Sequence, residues 1–271
     1  MCLLLVAIGA SPRWPFLLLG NRDEFHARAS VAAWPWPENA HIVGGRDQVA
    51  GGAWLALRDD GRFAAVTNLR TGMPATAPKS RGWLVRDFVL GDVQPAAWLA
   101  ALRDSGHDWQ VFSADYGPFN LVIGDDSGVF AMNSADGEIR VLGAGVHAIS
   151  NGPIGAHWPK TERLRRHFID KVRNLDDDGD DAETRLFDLL MDTVQPPDAQ
   201  LPDTGVGLEL ERRLAPIFIV GENYGTRAAT LVARRADGSR VLRERRFGPF
   251  ASDLGESYWQ ASPGGGFTEQ A

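Results

Sequence analysis

A run of unbroken apolar character, Cys2-Leu3-Leu4-Leu5-Val6-Ala7-Ile8, opens the chain and limits what it can become. Pro12, Arg13 and Pro15 follow closely, so the run falls far short of the ~18 to 20 apolar residues that cross a bilayer. No Lys or Arg precedes it, which argues against a secretory signal. A short apolar run bounded by turn residues is a buried strand. After the turn-rich Ala10 to Pro15, the apolar Phe16 to Leu19 completes a hairpin, and Gly20-Asn21-Arg22-Asp23-Glu24 reads as the break that ends it.

Short apolar runs bounded by turn residues return along the chain. Beyond a Trp/Pro-rich loop at Trp34-Pro35-Trp36-Pro37, Trp54 to Leu57 and Phe63 to Thr67 flank Asp59-Asp60-Gly61 as a second hairpin. Helical spacing then takes over in Gly82 to Leu90 and in Pro95 to Leu102. Strands resume at Phe119 to Ile123, Val129 to Met132, Ile139 to Leu142 and Val146 to Ile149, before helical patterns at Pro159 to Val172 and Ala182 to Met191. Ile217 to Val220, Ala229 to Ala233 and Val241 to Arg246 close the pattern as strands. Strands, helices, strands, helices, strands is the order of an α+β fold in which helix pairs cover antiparallel sheets. No linker divides residues 1–250, which are expected to form one domain, and 251–271, with Ser262-Pro263-Gly264-Gly265-Gly266, reads as a partly flexible tail.

Composition narrows the functions. With 28 basic against 35 acidic residues and a net charge of -7, no global positive field draws the chain to nucleic acid or anionic lipid. A single cysteine among 271 residues forbids an internal disulfide and a cysteine zinc cluster. Together with the lack of a spanning segment, it places the expected protein in the cytoplasm, with no stable membrane insertion. Phosphate-loop, zinc-protease, serine-hydrolase and Cys-x-x-Cys signatures are absent, and the acidic run Asp176 to Asp181 fails as a calcium loop because Arg185 stands where a bidentate Glu is needed. No metal site is expected.

Chemistry concentrates at the start. If Met1 is removed, Cys2 carries a thiol and a free α-amine on one residue, a nucleophile with its own base. Arg22 after the hairpin is placed to lower the thiol pKa, and Asp23 to hold or orient the amine.

Taken in order, the blocks Met1-Cys2, Gly20-Asn21-Arg22-Asp23-Glu24-Phe25, Ile42 to Asp47, Gly51 to Leu55, Gly61 to Arg70, Ser80-Arg81-Gly82, Ser150-Asn151-Gly152, Trp158-Pro159-Lys160 and Tyr224-Gly225-Thr226-Arg227 resemble the NRDE family, also called the transport and Golgi organisation family. The resemblance implies a four-layer αββα sandwich of the N-terminal nucleophile hydrolase type. It implies a cysteine hydrolase acting on the carbon–nitrogen bond of a small-molecule amide, with Cys2, Arg22, Asp23, Asn68 and Asn151 as catalytic candidates. Asn68 and Asn151 are then oxyanion donors, and Arg81 and Arg227 receive an anionic substrate group. No cofactor is required by that chemistry. Family members are also linked to haem mobilisation, which implies haem as a bound ligand in the alternative reading, a trafficking protein without turnover. Six histidines (His26, His41, His107, His147, His157, His167) are available, and their spacing carries no haem signature.

Overall fold

The opening strand is apolar throughout because both of its faces are covered. In the computed structural model, which describes residues 2–72, 77–104, 109–172 and 182–270, Leu3, Leu5 and Ala7 point to one core and Cys2, Leu4 and Val6 to another. The acidic run 176–181 and His107 lie outside the described residues.

Fourteen strands are described. They are β1 (Cys2–Ile8), β2 (Phe16–Phe25), β3 (Ser30–Trp36), β4 (Asn39–Asp47), β5 (Leu55–Arg58), β6 (Phe63–Asn68), β7 (Phe119–Asp125), β8 (Gly128–Asn133), β9 (Ile139–Leu142), β10 (Gly145–Ile149), β11 (Tyr224–Arg234), β12 (Arg240–Phe247), β13 (Asp253–Ala261) and β14 (Phe267–Glu269). The helices are α1 (Gly82–Leu90), α2 (Pro95–Arg103), α3 (Trp109–Ala114), α4 (Pro159–Val172), α5 (Ala182–Leu190) and α6 (Leu208–Leu214). One antiparallel sheet has the order β10-β1-β2-β11-β12-β13-β14, and the other is a meander from β3 to β9. Leu164, Phe168, Leu186, Phe187 and Leu190 of α4 and α5 cover the outer face of the first sheet. Leu84, Val85, Phe88 and Leu99 of α1 and α2 cover the outer face of the second. Between the sheets, Leu4, Val6 and Leu18 meet Trp54, Leu55, Leu57 and Val122. The layers therefore run α, β, β, α, as expected. No helix among the described residues is long and apolar enough to cross a membrane.

Several boundaries differ from the sequence reading, each for a physical reason. The polar stretch 20–25 continues β2 instead of breaking it: the Asn21 amide donates to the carbonyls of Leu190 (2.8 Å) and Ile217 (2.9 Å), so a polar residue is buried with its donors satisfied. Trp34, Pro35 and Trp36 belong to β3, an edge strand, where a proline forfeits no ladder bond. Ile217 to Val220 is an irregular segment, buried at Ile217, Phe218 and Ile219 and exposed at Val220, whose amides bond elsewhere, Phe218 N–H to the Asp192 carbonyl and Ile219 N–H to Thr226 Oγ1. Residues 253–261 and 267–269, read as a tail, pair as β13 and β14, and the Trp259 indole donates to the Ala33 carbonyl at 2.9 Å. The short helices α3 and α6 carry too few turns for a periodic signal.

One glycine contact shapes the rim of the site. A Cβ on Gly52 would lie 2.5 Å from the Gly82 carbonyl carbon, so the loop before β5 and the start of α1 approach through bare backbone. Gly52→Ala is expected to destabilise the protein by about 2–3 kcal/mol through overpacking against main chain. An unchanged midpoint in chemical denaturation would count against this close approach.

Candidate active site

The carboxyl-terminal part of β2 brings the predicted residues together. Cys2 on β1 pairs directly with Arg22 on β2, so the thiol and the guanidinium share the face between the sheets. Asp23, the next residue, lies on the opposite face beside the helical layer, where Thr226 Oγ1 donates to it at 2.7 Å. Both faces open on one cavity of about 330 Å³ at the strand ends, lined by Cys2, Arg22, Asp23, Asn68, Arg81 and Trp54 among others. Cys2 is 7% exposed, so its thiol borders this cavity while its backbone stays within the sheet.

Asn151 holds a different position from Asn68. It is fully buried, and its Nδ2 donates to the main-chain carbonyl of Asn68 at 2.9 Å, while its own carbonyl accepts the Arg70 N–H at 2.7 Å. Ser150 Oγ donates to the Cys2 carbonyl at 3.1 Å, tying the 150–152 segment to β1. A buried amide network clamps the same segment to the second sheet: Asn120 Nδ2 donates to the Ser150 (3.0 Å) and Gly152 (2.9 Å) carbonyls, and Asn133 Nδ2 donates to Asn120 Oδ1 at 2.7 Å. Asn151 thus orients the loop that presents Asn68, and the Asn68 side chain lines the cavity.

Arg81 joins the cavity and donates to the Pro118 carbonyl at 3.1 Å. Arg227 does not line it. It is the extra residue of a β-bulge between Thr226 and Ala228, and its guanidinium bonds the carbonyls of Phe25 and Arg28 while facing a neighbouring cavity.

Lys160 was not singled out for chemistry in the sequence, although it stands in the Trp158-Pro159-Lys160 block. It is 3% exposed, and its Nζ donates to the Leu214 carbonyl at 3.2 Å and to Asn151 Oδ1 at 3.4 Å. Burial pulls its pKa down to about 8, with the charges of Asp23 and Cys2 opposing that shift. Burial pushes the Cys2 thiol up, and the positive charges of the chain terminus and of Arg22 draw it back. Asp23 is likewise raised by burial and lowered by Lys160. A cysteine, an acid and an amine therefore share one poorly solvated site, the environment in which proton transfers are tuned.

Lys160 titrates where an ordinary lysine does not. Because its folded pKa lies below the ordinary 10.5, the unfolded chain binds more protons between about pH 8 and 10.5, and stability rises with pH across that window. Below pH 8 the full cost of the buried ammonium is present, up to about 3 kcal/mol. The chain has three lysines, Lys79, Lys160 and Lys171, so an NMR titration of lysine side-chain carbons resolves them. One signal is expected to titrate near pH 8 and to vanish in Lys160→Met. Three signals all titrating above pH 10 would remove Lys160 from the electrostatics of the site.

Among the described residues no histidine lines this cavity. His41 pairs with Asp59 at 2.6 Å, His157 with Glu162 at 2.9 Å, and His147 contacts the Gly143 carbonyl.

The chain is similar to known proteins over nearly its whole length. The mouse Transport and Golgi organization 2 homolog is 27% identical over 265 residues, covering 90% of this chain and 92% of the relative. The human homolog is 28% identical over 280 residues, covering 96% of each. Among solved structures, a cysteine-to-alanine mutant of the conjugated bile acid hydrolase from Clostridium perfringens superposes with a TM-score of 0.52 at 8% identity, covering 100% of this chain and 97% of that one. The four-layer sandwich is thus of the N-terminal nucleophile hydrolase type. A family model, Transport and Golgi organisation 2, matches residues 1–249, and the chain belongs to that family.

Proposed function

We propose that this protein is a cytoplasmic cysteine hydrolase of the N-terminal nucleophile type, acting on the carbon–nitrogen bond of a small amide. The observation that carries the reading is the placement of Cys2 at the wall of a cavity with Arg22 directly across from it and Asp23 at the same strand end. Once Met1 is removed, Cys2 Sγ attacks the amide carbonyl carbon and the thiol proton passes to the Cys2 α-amine. A thiol pushed up by burial is a poor resting thiolate, so transfer to the adjacent amine during attack suits this site better than a preformed anion. Asn68 donates to the developing oxyanion, and Asn151 holds the Asn68 main chain in place. The ammonium returns its proton to the leaving amine as the carbon–nitrogen bond breaks. Water then hydrolyses the Cys2 thioester with the amine as base, releasing the acid and restoring the thiol. Asp23 and Lys160 set the charge around that amine.

The test is the intact mass of the protein expressed with its own start, before and after treatment with a stoichiometric thiol alkylator near neutral pH, followed by an amide panel assayed against Cys2→Ala. Loss of Met1, labelling at Cys2 faster than free cysteine, and hydrolysis abolished by Cys2→Ala are expected. Retention of Met1 or an inert Cys2 overturns the mechanism. A Soret band on haem titration of such a protein would then favour the trafficking reading, with Cys2 as the available ligand.

A further inference from the structure

The sheet carries a row of side chains that the hydrolysis above does not use in full. Cys2 pairs with Arg22, Arg22 with Ala228, and Ala228 with Arg246, so four adjacent strands present these residues side by side on the face between the sheets. With strands about 4.8 Å apart, the two arginines stand about 10 Å from each other, with only the methyl group of Ala228 between them. The gap is a second cavity of about 80 Å³, lined by Arg22, Arg227, Ala228, Arg246, Glu244 and Trp54 among others. Arg22 and Trp54 also line the cavity at Cys2, so the two spaces adjoin.

Four guanidinium groups, those of Arg22, Arg46, Arg227 and Arg246, line this gap against two carboxylates, Glu244 and Asp47. The Nε atoms of Arg227 and Arg246 are buried without a hydrogen-bond partner. Arg22 has Glu24 as its ion-pair partner only at 3.9 Å. Glu244 faces the charges of Arg246 and Arg22, and it is also engaged by the Ala33 N–H at 2.9 Å and by Thr230 at 3.4 Å. Asp47, also in the lining, is held by Arg28 at 2.5 Å. Proximity to Arg22 also lowers the pKa of Arg227, after the larger effect of burial, with Glu24 and Asp47 opposing the shift. Guanidinium groups converging on a small, partly dry gap are the chemistry that holds a carboxylate. Buried Glu244 disfavours a dianion there.

We propose that the gap over Ala228 is a subsite for a carboxylate of the substrate, so that the amides taken at Cys2 carry a carboxylate about two strand spacings, about 10 Å, from the scissile carbonyl. This inference rests on the hydrolase reading for the role of Cys2, but its test needs no turnover. The probes are the iodoacetamide of 6-aminohexanoic acid, its methyl ester, and iodoacetyl-glycine with its own ester. Each alkylates Cys2 by displacing iodide, and mass spectrometry gives the rate.

The long acid is expected to label at least tenfold faster than its ester, and iodoacetyl-glycine, too short to reach the gap, at nearly the rate of its ester. Arg246→Met is expected to bring the long-chain ratio close to one. Ala228→Leu, which fills the gap without removing charge, does the same and keeps the test decisive if Arg246→Met folds poorly. A wild-type ratio near one, an equal preference for the short acid, or a ratio untouched by both substitutions would overturn the subsite. Absence of amide hydrolysis with the long-chain preference intact would sink the hydrolase reading and leave the subsite standing.

Discussion

Glu211→Ala is expected to lower the stability of the protein by about 4 kcal/mol, the range for removing one partner of a buried ion pair. Glu211 and Arg70 meet at 2.6 Å with side chains 3% and 6% exposed. Alanine at 211 leaves the Arg70 guanidinium buried over the Trp158 ring without its carboxylate, and it also removes the acceptor for the Thr204 N–H and hydroxyl. For a chain of this length the loss corresponds to a fall in Tm of about 10 °C. Glu209→Ala, exposed on the same short helix, is the control and should shift stability by less than about 0.5 kcal/mol. Equal, small effects from both substitutions would show that the pair adds little. The pair matters to the site because the Arg70 N–H holds the Asn151 carbonyl, and Asn151 in turn holds Asn68.

Asn68→Ala is expected to cut kcat for amide hydrolysis by about 10²–10³-fold, or roughly 3–4 kcal/mol, with KM nearly unchanged. Those are the marks of a donor engaged mainly in the transition state. Alkylation of Cys2 by iodoacetamide forms no oxyanion, so its rate should stay within about twofold of the wild type. A parallel loss of alkylation would mean that Asn68 shapes the cavity instead of the reaction, and an unchanged kcat would remove it from the oxyanion site. Asn151→Ala is expected to lower kcat as well. It should also destabilise the fold, because it strands the Asn68 carbonyl and removes an acceptor from Lys160.

Much of the fold was legible because periodicity is a local property. The short apolar runs Phe63 to Thr67 and Phe119 to Ile123, bounded by turn residues, read as strands covered on both faces, and the four-residue spacing of Leu164 and Phe168 marks the covered face of a helix. The misread segments are those where burial is satisfied by distant partners. Asn21 looks like a turn residue until the carbonyls of Leu190 and Ile217 arrive from the far end of the chain. Trp259 looks like part of a tail until the Ala33 carbonyl accepts its indole.

The site divides along the same line. Cys2, Arg22 and Asp23 could be named from the chain because their chemistry lies in residue type and sequence order. Lys160 could not, since an exposed lysine and a buried one are spelled alike; only the packing of α4 against Asn151 and the Leu214 carbonyl pulls its pKa down. The Arg22–Ala228–Arg246 row was equally hidden, because sheet register joins residues more than 200 positions apart. The amino-acid sequence by itself determined the alternation of strands and helices, and the presence of a lone cysteine on the first strand with a charged pair, Arg22 and Asp23, after the second apolar run, because hydrophobic period and residue order are local properties. Tertiary structure alone decided which polar groups lost their water and which charges came to face one another, because desolvation and cross-strand pairing exist only once the layers close.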